Sequence, residues 1–390
     1  MPIAACPFCF SKIDTSRLAY QCTNRNGRCE KSVDETRLAM TQSNALSYPT
    51  FVPTPPPGRG GDAACPQCTS AARRRACPRC HTAVPADFVD SDSPLLAIVG
   101  STGAGKTVYM TVLAKRLRET VGARFGASVR IATDDPDKFD NIEDYIADRE
   151  GSIYERGNLP QKTNTALSET RRPLAVLWQG QKRNLLGRLA PFSTILSFVD
   201  TSGEDLARVE DAFTLRYLSV ADALIIALDP FALPGARDTL NLPSTAVQAA
   251  NPADVVSRIT EVLRNEHGLK RGKKIKIPVA IVFTKMDAFF PLLAKNNPIL
   301  TAPKGGPAYE EQDGQAVHEH MRALLHQWGA GNIDTDLQLN YATFRFFGVS
   351  ALGAEPDYDL AQVAAGGVRP HRVEDPLLWL LAKEGAVASE

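Results

Sequence analysis

Eight residues, Gly100-Ser101-Thr102-Gly103-Ala104-Gly105-Lys106-Thr107, satisfy the pattern G-x-x-x-x-G-K-[ST]. The backbone N–H groups of such a glycine-rich turn can wrap a chain of phosphates, and the positive end of a following helix reinforces them. Lys106 would reach the β- and γ-phosphates, and the Thr107 hydroxyl would ligate Mg²⁺. The pattern carries this meaning only between a strand and a helix. Pro94-Leu95-Leu96-Ala97-Ile98-Val99 reads as a buried strand before it. After it, Val108 to Leu117 has helical spacing, with Val108, Val112, Leu113 and Leu117 on one side. A nucleoside triphosphate is the expected ligand.

Three later stretches bear on which nucleotide, and each ends an expected strand. Asp200-Thr201-Ser202-Gly203 follows Ser193 to Val199. D-x-x-G arises about once per chain by chance, and Asp148 to Gly151 also matches, but Asp148 ends an amphipathic helix. Asp200 is placed to hold Mg²⁺, through water, while the Gly203 N–H meets the γ-phosphate. Thr284-Lys285-Met286-Asp287 follows Lys276 to Phe283 and resembles the guanine-reading motif N-K-x-D, with Thr in place of Asn. The Asp287 carboxylate can accept from the ring N–H and the exocyclic amine of guanine, which adenine does not offer, and the Lys285 stem would lie along the base. Ser350-Ala351-Leu352 closes the final strand and resembles the last guanine-binding motif, where a backbone N–H meets the guanine carbonyl. GTP is the expected nucleotide. An ATPase, or a fold that keeps the motifs without turnover, is the alternative. A switch threonine is expected between the first helix and Asp200, with Thr163 in Pro160-Gln161-Lys162-Thr163 preferred and Thr165 second.

All eight cysteines lie between Cys6 and Cys80. Cys6, Cys9, Cys22 and Cys29 give C-x2-C-x12-C-x6-C, and Cys65, Cys68, Cys77 and Cys80 give C-x2-C-x8-C-x2-C. Such spacing suits two closed, structural four-thiolate zinc sites. A crossed arrangement, in which Cys6 and Cys9 meet Cys77 and Cys80, is left open. His81 is expected to be a surface neighbour of the cluster. A proline-rich spacer at 49–62 either loops out of one module or separates two. Residues 1–93 hold eleven Lys+Arg and eight Asp+Glu, including the run Arg73-Arg74-Arg75. Two zinc tetrathiolates would each add about −2, which leaves a poor footprint for nucleic acid. Protein contact is the favoured role.

The elements that must position these groups follow from the remainder of the chain. The 390 residues are 44% hydrophobic and 23% charged, with formal net charge zero. A soluble cytoplasmic protein is expected, with a zinc module over 1–93 and a nucleotide-binding domain over 94–390. Apolar runs alternating with amphipathic stretches argue for a mostly parallel α/β sheet. Further strands are expected at 127–132, 173–179, 223–229 and 343–349, and helices at 136–149, 206–218, 254–266, 315–328 and 375–382. His318 and His320, two apart on a helix, make a poor metal pair and are expected to be solvated.

Residues 94–384 resemble the translation-factor-related class of P-loop GTPases. The cysteine-rich front end, Gly100 to Tyr109, Pro160 to Thr163 and Asp375-Pro376-Leu377-Leu378-Trp379 together resemble, more narrowly, the bacterial double-GTPase group with an N-terminal zinc ribbon. The resemblance implies a Ras-like sheet, GTP/GDP and Mg²⁺ as ligands, and a second GTPase contributed by a partner or another copy. It also marks one departure. Where Ras-like enzymes carry glutamine after the D-x-x-G glycine, this chain has Glu204. Slow intrinsic hydrolysis and an arginine supplied in trans are the expectation.

Overall fold

Strand β1 (Leu96–Gly100) is buried at every position, which its unbroken apolar run requires of a strand covered on both faces. It belongs to a seven-stranded sheet with β2 (Ser128–Ala132), β3 (Leu174–Arg183), β4 (Leu189–Phe198), β5 (Ala223–Leu228), β6 (Val279–Phe283) and β7 (Phe344–Gly348), in the order β2-β3-β4-β1-β5-β6-β7. The computed structural model describes residues 3–390 apart from 25, 42, 59–60, 86–87, 89–94, 102, 133–141, 161–172, 184–187, 199–211, 241, 244–245 and 247–249.

The sheet is parallel from β4 through β1, β5 and β6 to β7. β3 alone runs against its neighbours, pairing antiparallel with β2 and with β4. The simple alternation of strand and helix expected from sequence fails here. β3 and β4 each run ten residues and are paired along their whole length, Leu174 to Phe198 through Arg183 to Leu189. Only five residues separate them, enough for a hairpin and too few for a crossover helix.

Alternate residues of β1 face opposite layers, as the two-residue strand period demands. Ala97 and Val99 pack with α3 (Ala212–Ser219), α4 (Pro252–Glu266), α5 (Glu311–Gln327) and α6 (Gly331–Asn340) through Tyr217, Val256, Ile259, Met321, Leu325 and Leu337. Leu96 and Ile98 pack with α1 (Lys106–Arg116), α2 (Ile142–Glu150) and α7 (Asp375–Lys383) through Tyr109, Val112, Leu113, Ile146, Leu377 and Trp379. Helix α6 is absent from the sequence expectation. Its polar run Asn332, Asp334, Asp336 and Asn340 masks a two-residue apolar face, Ile333 and Leu337.

The antiparallel half of the sheet is covered by the cysteine module. Ala175 and Leu177 of β3 and Ile195 of β4 share a buried cluster with Cys6, Phe8, Cys9, Ile13, Cys77 and Cys80. The Ser197 hydroxyl donates to the Pro7 carbonyl at 3.2 Å. Phe10 packs on Tyr217 with ring centroids 4.7 Å apart. Composition changes at residue 93, yet apolar packing continues across that point.

Candidate functional site

The glycine turn sits where β1 ends and α1 begins. Gly100 passes so close to β5 that a Cβ there would collide with the Ala227 carbonyl. Gly105 is left-handed, with φ +71°, as it enters α1. Glycine supplies both conditions without steric cost. Lys106 is buried and its ammonium donates to the carbonyls of Gly100 and Ser101, each at 2.9 Å. That curls the side chain back over the loop it is expected to serve. Ala104 is buried, Gly103 and Thr107 are half-buried, and Thr102 lies outside the described residues.

Two further loops meet this turn at the same edge. The Thr284 hydroxyl donates to the Ala104 carbonyl at 2.7 Å and lies 3.2 Å from the Leu228 carbonyl. One short side chain thus ties the ends of β1, β5 and β6 together. The Ser350 hydroxyl donates to Asp287 Oδ1 at 2.5 Å and accepts from the Gly353 N–H at 2.7 Å. Asp287 is 8% exposed, and burial raises its pKa above the ordinary carboxylate value, partly offset by the Ser350 bond. A buried carboxylate with acceptor capacity to spare suits a ligand that presents paired N–H donors. Ala351 and Leu352 are half-buried at the rim.

Asp229 joins this group and is not singled out by the sequence reading. It is fully buried, accepts from the Phe231 N–H at 2.9 Å, and pairs with the Lys285 ammonium at 2.6 Å. Burial raises its pKa, and Lys285 offsets part of that. The same ammonium lies 5.0 Å from the centre of the Phe231 ring. Lys285 therefore has its stem held from both ends, by a left-handed backbone (φ 55°) and by this pair. The available signal is position: an acid at the end of a buried strand, β5, that neighbours β1.

Asp200, Gly203, Glu204, Thr163 and Thr165 lie outside the described residues. The described part of β4 ends at Phe198, and β4 runs parallel beside β1.

The cysteines form two groups of four buried thiols, the sulfurs of each within 4.8 Å of one another. The groups are Cys6, Cys9, Cys77 and Cys80, and Cys22, Cys29, Cys65 and Cys68. This corrects the pairing by sequence order and matches the crossed alternative. The reason is the fold of the module: Ala19–Gln21 pairs with both Thr50–Phe51 and Arg74–Ala76, so the two halves of the cysteine set interleave. The eight cysteines therefore belong to one bipartite module, and the spacer takes part in it through the strand Thr50–Phe51 and through Gly61, whose carbonyl accepts from the Tyr20 hydroxyl at 3.2 Å. Sulfur separations are 3.8 Å for Cys6–Cys80, Cys9–Cys77 and Cys29–Cys65, and 3.5 Å for Cys22–Cys68. A regular tetrahedron with Zn–S bonds of about 2.3 Å has edges of about 3.8 Å. The donor sets fit zinc.

Burial separates the remaining candidate residues. His81 lies outside both groups and pairs with Asp34 at 2.8 Å. Arg73 is bonded to Asp62 at 2.8 Å and Arg74 to Gln21 at 3.2 Å, so the arginine run is broken up by its own module. His318 is not solvated as expected. Its Nδ1 accepts from the Phe346 N–H at 3.0 Å, its ring stacks on Phe346, and burial lowers its pKa. His320 is exposed. Among the described residues no helix is long and apolar enough to cross a membrane.

No family model matches the chain. It is 27% identical, in an alignment 419 positions long that covers 99% of this chain and 100% of the other, to the "Putative ESX-1 scaffolding and assembly protein SaeC" of Mycolicibacterium smegmatis. Among solved structures it is similar to the Arl6 BBS3 small GTPase of Trypanosoma brucei (12% identity, 76% of this chain and 99% of that one, TM-score 0.29). It is also similar to a signal recognition particle receptor SRb-GTP/SRX complex of Chaetomium thermophilum (15%, 68% and 94%, TM-score 0.30). A third likeness is to a bacterial selenocysteine-specific elongation factor (15%, 75% of this chain and 29% of that one, TM-score 0.24). Likenesses this distant carry no weight beside the site geometry.

Proposed function

We propose that the chain is a cytoplasmic, Mg²⁺-dependent switch that binds GTP and hydrolyses it slowly, with residues 94–390 as the GTPase domain. Residues 1–93 are read as a module built on two structural zinc ions that presents a surface to a protein partner. One observation supports this most: the Thr284 hydroxyl grips the Ala104 carbonyl at 2.7 Å while Ser350 fixes the Asp287 carboxylate at 2.5 Å. A phosphate cradle and a guanine reader are thereby held at one edge of a parallel sheet, beyond the carboxyl ends of its strands, where ligands of such folds bind.

In this reading the loop 100–107 binds the phosphates, with Lys106 exchanging its carbonyl partners for phosphate oxygens. Thr107, Asp200 and Thr163 would hold Mg²⁺, which supplies positive charge to the β- and γ-phosphate oxygens when bound. Gly203 donates to the γ-phosphate, and Glu204 orients the attacking water less well than a neutral amide. Thr284, Lys285, Asp287, Ser350, Ala351 and Leu352 hold the base. A second GTPase, from a partner or another copy, would supply an arginine worth about 10³–10⁵ in rate.

Single-turnover phosphate release from GTP tests the enzymatic half. Wild type should release phosphate slowly, Asp200→Ala should abolish the Mg²⁺-dependent rate, and Glu204→Gln should preserve or raise it. Fast release that collapses in Glu204→Gln would make Glu204 the catalytic group and overturn this account of it.

A second reading, a GTP-binding scaffold without turnover, draws on the name of the Mycolicibacterium smegmatis relative. It predicts wild-type GTP binding with no phosphate release, with or without a partner.

A further inference from the structure

The loop that leaves the base motif is long, and it folds back on the site. Residues 353–371 connect Ser350-Ala351-Leu352 to the approach of α7, and connections of this length in compact domains are usually functional. Its base is clamped. Arg369 N–H donates to the Leu352 carbonyl at 2.8 Å, and Ser350 and His371 exchange backbone bonds at 3.0 and 2.8 Å. Its tip is a tight turn in which Asp357 and Gln362 exchange backbone bonds and the Asp357 carboxylate accepts from the N–H groups of Asp359 and Leu360. The far side of the tip is pinned as well. Leu159 N–H donates to the Ala361 carbonyl, and Val363 N–H to the Gly157 carbonyl, each at 2.8 Å.

This strap delivers Tyr358 to the nucleotide edge. The ring meets Phe231 edge-on, with centroids 6.2 Å apart, and Phe231 in turn carries the Lys285 ammonium. Tyr358, Phe231 and Lys285 thus form one continuous wall beside Asp287. The Tyr358 hydroxyl is buried and has no hydrogen-bond partner among the described residues. Buried polar groups left unpaired are rare, because desolvation is costly without a compensating bond. Burial, with Asp287, Glu355 and Asp229 nearby, raises the phenol pKa, so the group keeps its proton and can donate.

We propose that Tyr358 is a further nucleotide-contact residue, whose hydroxyl donates a hydrogen bond to the nucleoside seated on Asp287. The inference rests on the guanine-nucleotide reading above. The acceptor is the ribose 2′-hydroxyl oxygen or an acceptor on the purine, and one experiment separates the two.

The experiment is calorimetric titration of the full chain, wild type and Tyr358→Phe, with GDP and with 2′-deoxy-GDP. Removing a donor without changing ring shape should weaken GDP binding about five- to tenfold, while the melting temperature without nucleotide should not fall, because the hydroxyl removed is unpaired there. A ribose 2′ contact predicts that 2′-deoxy-GDP already shows this loss in wild type and loses nothing more in the variant. A purine contact predicts equal losses for both nucleotides. Tyr358→Phe binding GDP as tightly as wild type overturns the proposal and leaves the guanine reading standing. Wild type that binds no guanine nucleotide overturns both.

Discussion

The cysteine module and the nucleotide edge are each assembled from short motifs far apart in the chain, and they are held together by opposite means. In the module the sulfurs themselves are the meeting point, with separations of 3.5–3.8 Å between residues 36 to 74 apart in sequence. Apart from the module's packing on β3 and β4, little else orders so small a zone. Its strands are two or three residues long, too short to be stable without such a cross-link. The nucleotide edge needs no ligand to converge. Five buried residues of β1, six of β5 and five of β6 bring its loops together, and Thr284, Ser350 and Asp229 then fix them with hydrogen bonds. One region is read as folding through its ligand, the other as prepared in advance for one.

Removing the zinc ligands should have the largest effect, because binding energy there is folding energy, about 10–16 kcal/mol per site. Purified protein should contain two zinc ions per chain, and a chelator should unfold the module. The crossed pairing sharpens this. Replacing Cys6, Cys9, Cys77 and Cys80 together by Ser should leave one zinc per chain, as should the complementary replacement of Cys22, Cys29, Cys65 and Cys68. Pairing by sequence order would leave none in either variant.

Asp287→Ala should come next. Two charge-assisted bonds of about 1.5–3 kcal/mol each are lost, so GDP and GTP should bind at least about a hundredfold more weakly, with the fold intact by circular dichroism. Lys106→Ala should instead weaken phosphate binding without altering base preference.

A smaller effect concerns pH. In the proposed reading guanine recognition needs the Asp287 carboxylate charged, and burial raises its pKa. As pH falls, GDP affinity should therefore begin to drop at a higher pH than an ordinary carboxylate would give. Binding in that range should release protons, visible as a dependence of calorimetric heat on buffer ionisation enthalpy. The module, whose ligands are thiols, should show no matching step there until its zinc is displaced.

The same contrast explains what could be read in advance. Gly100 to Thr107 and the strand ends carrying Thr284 and Ser350 were legible because each motif sits between elements with strong local patterns. The cysteine spacing predicts two four-thiol groups but not their pairing, which depends on Ala19–Gln21 lying between two other short strands. Nothing local in the residues around Tyr20 encodes that. Asp229 looked like a strand terminus because its partner, Lys285, is 56 residues away. His318 looked solvated on its helix, and only the arrival of Phe346 from β7 buries it. The reversed strand β3 was hidden because a hairpin strand and a parallel strand share the same apolar run.

Selection of guanine nucleotides by this edge is what the proposed function requires. Calorimetric titration of the purified full chain with GTP and with ATP, each with Mg²⁺, tests it most directly. The account predicts saturable one-to-one binding of GTP, with ATP at least a hundredfold weaker, the two bonds to Asp287 being absent for adenine. ATP binding as tightly as GTP, or neither binding, would contradict it.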